Sequence, residues 1–279
     1  MTFVRSRNEI AQSRKNVKEK LYVSVMKRQI GLVLSGGGAR GLAHLGVIKF
    51  LEEQQIRPDY ISGTSAGAIM GAFWAAGYGA GEIAAIIKKS SLFHMSALAL
   101  SKAGLLKGNA NEKLLRAYLG KRRLEDLQIP VYVSAVDIMK GEAITLSQGD
   151  TVKILLASSA IPILFEPVKI GNRLLIDGSA LDCFPTEPLL KKCDALIGVY
   201  ANAVRPTSKK LNMMEIFDRG YHLTVYHEVE NKKQHCQVYL EPAGLSRYGM
   251  FDLKKAGEII EIGYRAAKAA QKKILALTQ

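Results

Sequence analysis

The sequence predicts an α/β protein of three layers, with a mostly parallel central sheet and helices on both faces. Three observations carry this expectation. Runs of β-type residues alternate with runs of helical periodicity along most of the chain, the pattern of strands joined by crossover helices. Two glycine-rich turns, Gly36-Gly37-Gly38-Ala39-Arg40-Gly41 and Gly63-Thr64-Ser65-Ala66-Gly67, each follow a strand run and open a helical one. The chain has 279 residues, 48% of them hydrophobic, which suffices for a full core and suits one domain better than two.

Residues 1–28 read as a basic, polar extension with some helical periodicity through Ile10, Val17, Leu21 and Val25, ahead of a single domain over 29–279. Ile30 to Ser35 is the first strand run. Beyond the first glycine turn, Leu42, Leu45, Ile48 and Leu51 share one face of a helix over about 41–55. Arg57-Pro58 ends that connection, the short run 59–62 leads into the second turn, and 66–76 is a helix of small residues suited to close packing on a sheet. Glycines 77, 79 and 81 then break it. Further strands are expected at 131–136, 142–146, 166–170, 173–176, 195–200 and 237–240, and helices at 111–119, 151–159, 211–231 and 252–276. Gly171-Asn172, between two short apolar runs, reads as a hairpin turn. Leu92 to Leu106 is largely apolar with few charges, and it has two readings, a buried core segment or a lid that dips into a bilayer.

Lys and Arg number 39 against 25 Asp and Glu, a net charge of +14, and part of the excess lies in residues 1–28. Such a surface attracts nucleic acid or anionic lipid, and charge alone does not separate them; a solvated basic surface with no specific partner is the plain alternative. No zinc-finger spacing or aromatic-studded basic strand is present, so no nucleic-acid partner is expected. Cys183, Cys193 and Cys236 neither pair completely nor match a metal site, which fits reduced thiols in a cytoplasmic protein. Near the start the one apolar stretch, Leu21 to Met26, is shorter than the ~7 to 15 residues of a signal-peptide core, and no run approaches the ~18 of a membrane span. A cytoplasmic protein, soluble or held peripherally at a membrane, is expected.

The second glycine turn has the form G-x-S-x-G, the nucleophile elbow, in which a tight strand-to-helix turn holds a serine hydroxyl clear of the backbone. Gly63 and Gly67 flank Ser65 because the strained turn and the close approach of helix to strand leave no room for a Cβ. The plainer reading makes Ser65 the N-cap of the helix that begins at Ala66. The first turn also has two readings. Gly36, Gly38 and Gly41 satisfy the dinucleotide fingerprint G-x-G-x-x-G, with Asp59 near the spacing of its ribose ligand; yet Asp59 precedes its strand, the wrong end for that role. Alternatively, consecutive glycines at a helix N-terminus leave backbone N–H groups unhindered and aimed at one spot, where they can hold an oxyanion. Arg40 then either anchors the loop or meets a negatively charged substrate.

A serine nucleophile needs a base. The order serine, acid, histidine is met by Ser65, Asp177 and one of His222, His227 or His235, but the first two histidines fall in a helical pattern and the third precedes its strand. His44 and His94 read as ordinary structural or surface residues. Asp177 closes the short strand run 173–176 and is followed by Gly178-Ser179. A carboxylate there can take the serine proton directly, or it can simply shape the bend as an Asx-turn.

In this order, the two glycine turns, Ala157-Ser158-Ser159-Ala160-Ile161-Pro162 and Asp177-Gly178 resemble the patatin-like phospholipase family, especially its compact bacterial, lysophospholipase-like members, over about residues 29–200. The resemblance implies a patatin-like fold in which Ser65 is the nucleophile and Asp177 the base of a dyad. It also implies an oxyanion hole from the N–H groups of Gly36, Gly37 and Gly38, with Arg40, Gly41, Gly63, Gly67 and Gly178 in support. Hydrolysis of lipid or phospholipid acyl esters without metal or organic cofactor follows from it, and together with the basic surface it suggests peripheral contact with an anionic membrane. The family's usual D-G-[GA] reads here Asp177-Gly178-Ser179, which keeps the aspartate and alters only the local turn. The same acyl-serine also serves an acyltransferase or a thioesterase, and a lipid-binding or regulatory protein of low turnover is the alternative from another class.

Overall fold

The structure, a computed structural model, describes residues 28–89, 109–204, 206, 208 and 210–279. Residues 1–27 of the basic extension, the apolar segment Leu92 to Leu106 and His94 lie outside the described residues. The described chain is built on one eight-stranded sheet. Its strands are β1 (Ile30–Leu34), β2 (Tyr60–Thr64), β3 (Val131–Asp137), β4 (Glu142–Leu146), β5 (Val168–Ile170), β6 (Arg173–Asp177), β7 (Ala195–Val199) and β8 (Val238–Leu240). Five of them, in the order β3-β2-β1-β7-β8, run parallel. β4 and β6 pair with β3 antiparallel, and β5 pairs with β6 across the Gly171-Asn172 hairpin, where Gly171 takes φ 59°. The expected sheet is thus parallel at its centre and antiparallel at one side.

The helices are α1 (Ala43–Glu53), α2 (Ala66–Ala75), α3 (Ala80–Lys89), α4 (Asn109–Leu119), α5 (Thr151–Ser158), α6 (Met213–Lys232), α7 (Ala256–Ala269) and α8 (Gln271–Ala276). Alternation along β1 assigns them to layers. Leu32 and Leu34 face the larger core with residues of α1, α2, α3, α5 and α7, whereas Val33 faces Phe184, Tyr200 and Val225 and Val229 of α6. Fully buried side chains such as Leu32, Leu34, Phe50 and Phe73 each contribute about 1.5–3 kcal/mol through removal from water. None of the helices among the described residues is long and apolar enough to cross a membrane.

One feature of the sheet positions everything that follows. β4 pairs with β3 over Val133 to Asp137, so it fills one edge of β3. The other edge is shared: β2 occupies it as far as the pair Thr64–Ser134, and β6, arriving from the opposite direction, takes over at the pair Asp177–Ala135. The hydrogen bonds agree, since Pro130 on that edge accepts from Ile61 and Ile138 donates to Leu174. The ends of β2 and β6 therefore meet head to head at neighbouring register positions.

Two local departures from the sequence reading have physical causes. Helix α3 forms in spite of Gly77, Gly79 and Gly81, because Gly81 falls in its first turn, where the Glu82 carboxylate accepts from Gly79 N–H at 2.9 Å and that of Glu52 from Ala80 N–H at 3.2 Å. The helix expected over 252–276 is divided into a 3₁₀ turn at Leu253–Lys255, then α7, then α8 after Ala270. Between α1 and α7 the backbones touch: a Cβ on Gly46 would overlap the Ile260 carbonyl, and one on Gly263 the Ala43 carbonyl. Gly263→Ala is accordingly expected to cost about 2–3 kcal/mol or more, as overpacking against rigid backbone does. Urea titration should show a lower midpoint with an unchanged slope.

Candidate active site

Ser65 occupies the turn between β2 and α2 with φ 51° and ψ −120°. Such a conformation costs a residue other than glycine on the order of 1–3 kcal/mol and persists only where the surroundings over-determine it. They do so here. Ser65 N–H donates to Ser158 Oγ at 2.9 Å, its carbonyl accepts from Ile69 at 3.0 Å, and Ser158 Oγ in turn donates to the Ser134 carbonyl at 2.6 Å. A Cβ on Gly63 would lie 2.8 Å from Ala68 N, one on Gly67 would overlap the Leu34 carbonyl, and one on Gly41 would come within 2.6 Å of Ala66 Cβ. The Ser65 side chain makes no capping bond to α2. Its hydroxyl instead faces the Asp177 carboxylate, whose ionised form it favours, so the N-cap reading gives way.

Asp177 closes β6 and is almost wholly buried. Burial pushes its pKa up to about 6, against the pull of the Ser179 N–H at 2.8 Å and of the Ser65 and Ser179 hydroxyls, all of which favour the carboxylate. The Asx-turn reading of Asp177 is met by the bond from Ser179 N–H, and the same side chain also faces Ser65. Gly178 is needed because a Cβ there would lie 2.6 Å from the Ser134 carbonyl. Serine in place of the family's glycine or alanine at position 179 adds a donor to the carboxylate. Nearby, the Tyr221 hydroxyl of α6 is buried with no hydrogen-bond partner among the described residues, and burial, then the charge of Asp177, pushes its pKa up.

The glycine loop departs from expectation at one position. Gly36, expected to donate into the oxyanion hole, gives its N–H to the Cys183 carbonyl at 3.1 Å, while its own carbonyl accepts from Asn202 Nδ2 at 2.9 Å. For the N–H groups of Gly37 and Gly38 no acceptor is found among the described residues. Gly37 has φ 153° and Gly38 φ 55°; a side chain on Gly38 would also collide with the Met250 carbonyl, 2.5 Å from its Cβ. Gly38 lines the same slot as Ser65.

Arg40 points away from this slot. Its guanidinium is buried and pairs with Asp218 of α6 at 2.8 Å, beside a cavity of about 390 Å³ bordered by Asn202, His222 and Arg247. Of its two sequence readings, loop anchor is the one the geometry satisfies. The described histidines stand elsewhere. His44 Nε2 is 2.8 Å from the Ser35 carbonyl, and burial lowers its pKa to about 4; His222 lies 3.2 Å from Asp218, and His235 Nδ1 2.8 Å from Thr186 Oγ1. Asp59 accepts from Ile30 N–H at 2.8 Å, at the amino end of β1, so it is remote from the glycine loop that a dinucleotide would occupy.

The slot over Ser65 holds only about 30 Å³ of free space, room for a water molecule or two, between apolar walls that include Ile69, Leu115, Leu155, Ile161 and Phe165. It adjoins a vestibule of about 250 Å³ that shares Asn111, Leu156, Ser159 and Phe165 with it. Past the slot, Ile163 has φ 74°, a conformation that a β-branched residue rarely adopts. Several supports escaped the sequence reading. Ser158 lay within a quoted motif but without a role; Thr64 Oγ1 donates to the Asp182 carbonyl at 2.9 Å, and Asp182 pairs with Lys232 of α6 at 2.8 Å. Nothing in the local sequence marks those long-range partners.

Comparison with known proteins agrees with this fold. The sequence profile of patatin-like phospholipases matches residues 32–190. Lysophospholipase NTE1 of Kluyveromyces lactis is 32% identical over 84% of this chain and 18% of its own length. An uncharacterized NTE family protein of Mycobacterium tuberculosis is 27% identical over 87% of this chain and 46% of its own. The chain thus spans less than half the length of these curated relatives. Among solved structures, VipD from Legionella pneumophila superposes with a TM-score of 0.56 at 16% identity, covering 88% of this chain and 67% of that one, a likeness of fold. The profile match spans more than half of the sequence and includes both glycine turns and Asp177, and on that ground the chain belongs to the patatin-like phospholipase family.

Proposed function

We propose that this chain is a serine lipid acyl hydrolase of the phospholipase A or lysophospholipase type, working through a Ser65–Asp177 dyad. The observation that carries the reading is the pairing of a serine at φ 51° with a buried carboxylate that its hydroxyl faces. In the first step Ser65 Oγ attacks the acyl carbonyl while Asp177 takes its proton, and the Gly37 and Gly38 N–H groups receive the developing oxyanion. The proton passes to the leaving alcohol as the tetrahedral intermediate collapses to the acyl-enzyme. Water, activated by the same carboxylate, then releases the fatty acid. A carboxylate at its ordinary pKa is a poor base for an alcohol; burial raises Asp177 toward working pH and strengthens it. Apolar slot walls suit an acyl chain, and the same acyl-serine would serve transfer to an alcohol.

The direct test is labelling by a fluorophosphonate probe, mapped by peptide mass. Wild type should carry label on Ser65; Ser65→Ala should carry none, and Asp177→Asn should lose at least ~10²-fold in labelling rate, the scale of losing a general base. Replacing His44, His94, His222, His227 and His235 one at a time should leave labelling intact in every variant that folds. A folded wild-type protein that takes no label would move the reading to a lipid-binding protein of low turnover.

Because Asp177 acts as a carboxylate, kcat/KM should fall with decreasing pH through a midpoint near 6. Stability moves the other way. A carboxyl whose folded pKa lies above its unfolded value binds its proton more tightly in the native state, so ionisation destabilises the fold. Asp177→Asn should therefore be more stable than wild type at pH 8 by up to about 3 kcal/mol, given a rise from 3.8 to about 6. The gap should close as pH falls through 6 toward 4, which denaturant titrations of both proteins at several pH values would measure.

A further inference from the structure

Resting on the lipid-hydrolase reading of Ser65, we infer that the face surrounding the slot docks on an anionic bilayer, with Ile163 and the Ile138-Met139 turn as the parts that enter it. Ile163 is 71% exposed and holds φ 74°. Glycine or asparagine would relieve the backbone at such a position, and a polar residue would suit water better, so the sequence keeps an apolar side chain where both considerations oppose it. Its loop begins at Ala160, whose carbonyl accepts from Asp177 N–H, and its neighbours Ile161 and Phe165 line the slot itself. Ile163 is thus the exposed residue between two that line the slot.

Met139 and Ile138, 76% and 47% exposed, form the turn after β3. That turn leaves the same end of the sheet. Ile138 N–H donates to Leu174 on one side of β6, and Val168 pairs with Leu175 on its other side, so the turn and the start of β5 are two strand spacings, about 10 Å, apart. Exposed apolar side chains therefore occur in two separate segments toward one end of the sheet, one of them the loop that lines the slot.

Outside the pairs of Lys140 with Glu142 and of Arg116 with Glu112 and Asp150, the charges nearby are mainly basic. Exposed Lys140, Lys153, Lys169 and Arg173 border this face, and Lys153 and Lys169 line the vestibule. Against them stand Glu112, Glu142 and Glu166. Glu112 lies 3.6 Å from Arg116, and Glu142 3.5 Å from Lys140. With a net charge of +14 on the chain, the complementary surface is one that offers acyl chains under negative headgroups.

Docking can be measured without catalysis, using Ser65→Ala protein and flotation with vesicles of phosphatidylcholine alone or of equal parts phosphatidylcholine and phosphatidylglycerol. Binding should be stronger to the anionic vesicles and should fall about tenfold for each of Ile163→Asn and Met139→Asn, the scale of one buried apolar side chain. In the Ser65-bearing protein the same substitutions should lower turnover of vesicle lipid and leave hydrolysis of a soluble short-chain ester unchanged. Ile163→Asn should also raise the melting temperature, because asparagine tolerates positive φ, and this excludes misfolding as the cause of lost binding. Two results would overturn the proposal: unchanged vesicle binding by the double variant, or a lipid-free dimer abolished by the same substitutions, which would assign this face to a second copy of the chain. Vesicle binding that behaves as described in a protein whose Ser65 takes no fluorophosphonate would retain the docking face and reject the hydrolase.

Discussion

The shared edge of β3 is the constraint on which the site depends. Two strands of opposite direction occupy it in succession, and at the last β2 pair before β6 takes over the Ser134 carbonyl of β3 accepts from a side chain. An unpaired buried carbonyl is costly. Ser158 Oγ satisfies it at 2.6 Å and spends its lone pair on Ser65 N–H, so one hydroxyl closes the sheet and fixes the elbow. Gly178 fits against the same carbonyl because it lacks a Cβ. Ser65 and Asp177 approach each other because the strands that carry them end there.

Around that junction the electrostatics favour chemistry over stability. Burial raises the free energy of the Asp177 carboxylate, and hydrogen bonds from Ser65 and Ser179 return only part of it. The Tyr221 hydroxyl adds a buried donor without a partner among the described residues. Compensation comes from outside the site: the close packing of α1 on α7, the apolar layers on both faces of β1, and the ties from α6 through Arg40–Asp218 and Lys232–Asp182. The loop of Gly36 to Gly38 has the same character. Cys183, Asn202 and Met250 hold it from three directions and leave the Gly37 and Gly38 N–H groups for the slot.

Much of this was legible in the sequence, and what was not has identifiable causes. Strand and helix periodicities located the sheet, and the two glycine turns and Asp177 fell where the structure brings them together, because those features are local. Whether Gly36 N–H is free is not local; it depends on Cys183, far along the chain. The order of β2 and β6 on one edge is likewise set by pairing, which alternation within a strand does not encode. Helix α3 was hidden because glycines at 77, 79 and 81 read as breakers, and the carboxylates that rescue its start include Glu52 from α1. Ala270, where the last helices part, is the best of helix formers, so nothing at that position announces the break.

The supports of the glycine loop carry one more consequence. Gly36 to Gly38 and Ser65 lie early in the sequence, but Asn202, Asp218, Met250 and Gly263, which steady the loop and the helix behind it, belong to segments translated long afterward. A nascent polypeptide would therefore contain Ser65 and the Gly36 to Gly38 loop before it possesses the side chains that steady them. The turn at Ser65 and the loop beside it would take their described shape only once the segments carrying Met250 and Gly263 have been made.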